Sequence, residues 1–119
     1  MRTGKKMVAS FPSQSSIYWF DPEPTKGAEI RKIRPCVVAS PDEMNRHLQT
    51  VVVIPITSTI QAWPFRLSVT ILGQKSSLAC DQIKVVDKQR LRAKIDDLGR
   101  ADREALFGLL SSIFSTKNF

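Results

Sequence analysis

Apolar and polar positions along the chain fall into short runs separated by turn residues. "SIYWF" (Ser16–Phe20) is a β-branched and aromatic run, closed by "DPEPTKG", where Pro22, Pro24 and Gly27 stop regular structure. "RPCVVAS" ends at Ser40 and Pro41, "TVVVIPITS" is nearly all β-branched, and "FRLSVTI" alternates strictly, with Phe65, Leu67, Val69 and Ile71 on one face. Gly73 marks a turn before "SLACDQIKVVD". Five strand-length segments with no helix-length segment between them predict an antiparallel meander curling into a small barrel, a mainly β fold.

Only the end of the chain changes period. In "GRADREALFGLLSSIF", Leu106, Leu109, Leu110 and Ile113 recur at i, i+3, i+4 and i+7, the stripe of an amphipathic helix packed across the barrel. Gly99 is an acceptable N-cap, and Asp102 in the first turn suits the unpaired N–H groups and the helix dipole. Phe107 and Phe114 lie beside the stripe, available to a dimer contact.

A length of 119 residues is one ordinary domain, able to bury a core without staples. Residues 1–14 read as a flexible basic arm and 15–119 as the folded domain. Cys36 and Cys80 each sit inside an apolar run without ligand spacing, which predicts two buried thiols in a reducing compartment, hence a cytoplasmic protein. No segment is long and apolar enough to span a bilayer. Eighteen Lys and Arg against 11 Asp and Glu leave a formal charge of +7, which changes the picture more. Such a surface attracts polyanions, nucleic acid foremost, while an anionic membrane, an acidic protein or plain solvation fits the same balance.

Metal chemistry finds little support, because His47 is the one histidine and lies in a polar connection, "DEMNRHLQ". There is no glycine-rich phosphate cradle and no Ser-His-Asp pattern. What remains is a set of polar groups at strand ends. Arg34 precedes Pro35, which holds its backbone extended, and its guanidinium can fork across phosphate oxygens or pair structurally with Glu29 or Asp81. Three hydroxyls follow the third strand in Pro55–Thr59, a place where hydroxyls also satisfy turn backbone. Asp81 and Gln82 interrupt an apolar run; Asp81 is either a base or a clamp on an arginine. Trp63 is either a stacking platform for an unpaired base or an apolar lid.

Taken in order, "IYWFDPEPTKGAEIRKIRPCVVAS … VVVIPITS … WPFRL … LACDQIKVVDKQRL" resembles the MazF/PemK/Kid family of toxin endoribonucleases over about residues 17 to 114. The resemblance implies an SH3-like antiparallel barrel with a C-terminal helix, acting as a homodimer without cofactor or metal. It also implies cleavage of single-stranded RNA at short motifs through attack by the strand's own 2′-hydroxyl, and a MazE-like antitoxin whose C-terminal segment covers the RNA groove. Residue by residue, Arg34 matches the catalytic arginine of the RP motif, Thr57 the hydroxyl of the PxTS motif, Glu29 the acidic loop residue and Asp81 the aspartate that some members use as base. Those members carry an arginine two positions before that aspartate; here the position is Ala79, so the resemblance favours Arg34 with Thr57. RNA contacts are implied for Lys26, Arg31 and Lys32 in the loop before Arg34, and for Ser58, Trp63, Arg66 and Gln82. Ser15 and Ser16 stand where members usually carry a glycine and an acid. Two other functions fit the same barrel: a gyrase-poisoning toxin and a non-catalytic RNA-binding module.

Overall fold

The computed structural model describes residues 11–22 and 32–117. The expectations for Lys26, Glu29 and Arg31, and for the arm up to residue 10, lie outside those residues. Four strands form where the apolar runs predict them: β1 (Ser16–Phe20), β2 (Arg34–Val38), β3 (Thr50–Thr57) and β4 (Arg66–Ile71). The last apolar run does not stay one strand. It breaks into β5 (Gln74–Ala79) and β6 (Lys84–Asp87) around a 3₁₀ turn at Cys80–Gln82. A further strand, β7 (Leu91–Asp97), went unread because only Leu91 and Ile95 are half-buried among polar neighbours, a spacing of four rather than two. The connection holding His47 is a short helix, α1 (Asp42–His47), and the C-terminal helix α2 (Arg100–Ile113) starts after Gly99 as expected.

The topology also departs from a simple meander. Strand order is β4-β5-β3-β2-β1-β7, all antiparallel, with β6 beside the first half of β3 and β5 beside its last residues. The eight-residue β3 therefore belongs to two sheets at once, and the break at Cys80–Gln82 is the corner that carries the chain from one to the other. A curled half-barrel results.

Alternation along the strands sorts the core onto two faces. Ile17, Val37, Ile54, Ile56 and Leu78 pack with Leu106 and Leu110 of α2 into the larger cluster. Phe20, Cys36, Val38, Val51 and Val53 form a smaller one on the opposite face. Residues 11–14, read from sequence as part of a flexible arm, are held in place: the buried Asn45 amide donates to the Pro12 and Ser40 carbonyls at 2.9 Å each, and Gln14 N–H donates to Asp42 at 2.8 Å. No helix of the described residues is long and apolar enough to cross a membrane.

Candidate active site

Antiparallel pairing of β2 with β3 runs Cys36 to Pro55, Val37 to Ile54 and Val38 to Val53. That pairing stops two residues short of Arg34, the first residue of β2, and of Thr57, the last residue of β3, so both stand at the same end of the strand pair. Arg34 pairs with Phe20 across β1, so it stands at the end of three adjoining strands. It is exposed, and no described carboxylate forms an ion pair with it. Thr57 is half-buried, and its hydroxyl oxygen accepts from Thr59 N–H at 3.1 Å. That bond fixes the oxygen while leaving the O–H free to donate elsewhere.

Both residues line a hollow of about 500 Å³, together with Lys32, Gln61, Arg66, Gln82 and Lys84. Four of the sequence-selected groups thus meet Thr57 in one place: Arg34, Lys32, Arg66 and Gln82. Ser58 instead lines a second hollow that shares Arg34 and Thr57 with the first. Sequence reasoning missed Lys84 and Gln61. Lys84 sits in the second residue after "DQ", with Nζ 5.1 Å from the centre of the Phe20 ring. Its signal, a cation on the strand that flanks β3, depends on a pairing that periodicity does not reveal.

Asp81 is placed differently from the base expected of some family members. Its carboxylate takes two bonds from Arg66, 2.6 Å from Nε and 3.0 Å from an Nη. The Arg66 side chain is only 7% exposed against 33% for Asp81. This bidentate bond holds the Asp81 carboxyl below its ordinary range and pushes the guanidinium up. Arg66 stands directly opposite Ala79 in the β4–β5 register, so the arginine reaching this aspartate comes from the facing strand. The same guanidinium lies 4.9 Å from the centre of the Trp63 ring, which is itself 5.4 Å from Phe65. Trp63 therefore flanks the hollow through Arg66 and is absent from its walls.

His47 is exposed on α1, its ring nitrogen 2.9 Å from the Glu43 carbonyl, away from both hollows. Cys36 and Cys80 are buried free thiols, as expected. Burial pushes them up to about 12 and about 11, so both are neutral and poor nucleophiles at physiological pH. Among the described residues, no three His, Cys, Asp or Glu side chains are grouped as metal ligands would be.

Residues 13–114 match the family model described as the PemK-like, MazF-like toxin of type II toxin–antitoxin systems. The chain is 33% identical over 91 residues to the endoribonuclease EndoA of Bacillus subtilis, covering 71% of this chain and 78% of that protein. It is 28% identical over 112 residues to the endoribonuclease MazF of Staphylococcus epidermidis, covering 89% and 93%. Its fold matches a mycobacterial endoribonuclease solved in complex with its cognate antitoxin, with a TM-score of 0.70 at 20% identity over 84% of this chain and 91% of that one. With the half-barrel, the C-terminal helix and the matched length in agreement, the chain belongs to the PemK-like, MazF-like toxin family of type II toxin–antitoxin systems.

Proposed function

We propose that this protein is the toxin of a type II toxin–antitoxin pair and cuts single-stranded RNA without a metal ion. The observation that carries this reading is that Arg34 and Thr57, at the ends of their strands, line one hollow whose other cations are Lys32, Arg66 and Lys84. The RNA 2′-oxygen attacks the adjacent phosphorus and loses its proton. The bond from phosphorus to the 5′-oxygen breaks, and that oxygen takes up a proton. The products are a 2′,3′-cyclic phosphate and a 5′-hydroxyl. Arg34 forks across the non-bridging oxygens as charge builds on them, and the Thr57 hydroxyl donates to the same group. Asp81 is occupied by Arg66 and acts as a clamp. Of the two carboxylates that the family motifs match, Glu29 is the one assigned to proton transfer.

The cationic hollow supplies the binding term, through release of counterions from the RNA backbone. A homodimer working in the cytoplasm and held in check by a MazE-like antitoxin completes the reading; the relatives named as endoribonucleases support the activity, and the neighbour solved with its cognate antitoxin supports the antitoxin. The test incubates the purified protein with a long single-stranded RNA, with and without EDTA, and maps the new ends. Cutting at a short shared motif that persists in EDTA and falls about a thousandfold or more in Arg34→Ala is expected. Arg34→Lys loses most of the activity too, since an ammonium cannot fork. Intact RNA, or full activity in Arg34→Ala, would overturn the proposal.

A further inference from the structure

The second hollow adjoins the first along Arg34, Pro35, Ile56 and Thr57. It measures about 270 Å³ and adds Trp19, Ser58, Leu72 and Gln74, among others, to the shared residues. Apart from Arg34, its described lining carries no charge, whereas the larger hollow presents Lys32, Arg66 and Lys84. A phosphate chain suits the cationic side; the neutral side suits an unpaired base.

Leu72 makes this hollow unusual. It is the first of two turn residues between β4 and β5, with φ of 52° followed by 74° at Gly73, the two positive values of a type I′ hairpin turn. Asn or Gly is favoured at such a position, and a leucine there is strained. It is also 69% exposed, so its apolar surface gains nothing from the core. A residue disfavoured by both backbone and solvent, standing at the rim of a hollow, indicates a use in binding.

We propose that this hollow is a nucleobase subsite for a nucleotide next to the scissile phosphate. Leu72 and the Trp19 ring are its apolar walls, and Gln74 and Ser58 are the groups that read the base edge. The inference rests on the endoribonuclease reading above, because its position is defined by Arg34 and Thr57.

The test gives wild type, Leu72→Asn and Gln74→Ala the same long single-stranded RNA and counts cut ends by sequencing, with thermal melts and size-exclusion light scattering alongside. Leu72→Asn is expected to melt higher, since Asn suits the left-handed backbone, yet to cut about tenfold less efficiently, the scale of one lost base-stacking contact. Both variants relax the base preference at one and the same position beside the cut, and both keep the wild-type oligomeric state. Unchanged preference at every position in both variants overturns the subsite alone. A changed oligomeric state in Leu72→Asn with preference intact also overturns it and gives the hollow to a second copy of the chain. An RNA left intact by wild type overturns the endoribonuclease reading and the subsite together.

Discussion

In the proposed reaction, Arg34 and Thr57 divide the work on the phosphate by their chemistry. The arginine brings a permanent charge in a planar fork; the threonine brings one O–H whose oxygen is already held by Thr59 N–H. Thr57→Val is therefore expected to cut RNA about a hundredfold more slowly, the loss of one preorganised donor, while Thr57→Ser stays within a few-fold. Single-turnover rates on one RNA separate the two. Asp81 leads to a different expectation. Its folded-state acidity is strengthened by Arg66, so the pair stabilises the protein above the ordinary carboxylate range and is lost as pH falls through the lowered value. At neutral pH the carboxylate is ionised and engaged on both oxygens. Asp81→Asn should keep most of the cleavage rate between about pH 6 and 8; a loss of about a hundredfold or more would make Asp81 the base instead.

At the level of elements, the strands with clean alternation or continuous β-branched runs were legible, since one buried face leaves a period of two in the sequence. β7 was not, because an edge strand with polar neighbours carries almost no such period. The break between β5 and β6 was hidden for the opposite reason: "SLACDQIKVVD" is apolar on both sides of the corner. The start of β1 holds a residue whose role only the backbone reveals. Ser15 has φ of 76°, is buried, and its hydroxyl has no partner among the described residues. Its main chain is fixed by bonds from Ser15 N–H to Val38 and from Leu98 N–H to Ser15, so it cannot relax. The glycine usual at this point in the family meets that backbone without strain. Ser15→Gly should stabilise the protein by about 1 kcal/mol in denaturant melts, with the catalytic rate unchanged.

For the whole molecule, charge and fold act together. The net charge of +7 draws a polyanion to the surface, but three of the cations that line the hollow, Lys32, Arg34 and Lys84, have no ion-pair partner among the described residues. Lys84→Gln should flatten the dependence of RNA binding on salt, with the slope of log K against log salt falling by about 0.7, and weaken binding evenly across sequences. Fluorescence anisotropy with an RNA carrying a 2′-deoxy nucleotide at the cut site measures this without cleavage. By itself the sequence determined the mainly β class, the C-terminal helix, the buried thiols and the basic surface. These are local or compositional, so periodicity and residue chemistry carry them. Only the tertiary structure decided that Arg66 rather than Arg34 holds Asp81, that Lys84 joins the hollow, and that two hollows share Arg34, Pro35, Ile56 and Thr57. Each depends on which strands become neighbours, and that choice is made by packing between segments far apart in the chain.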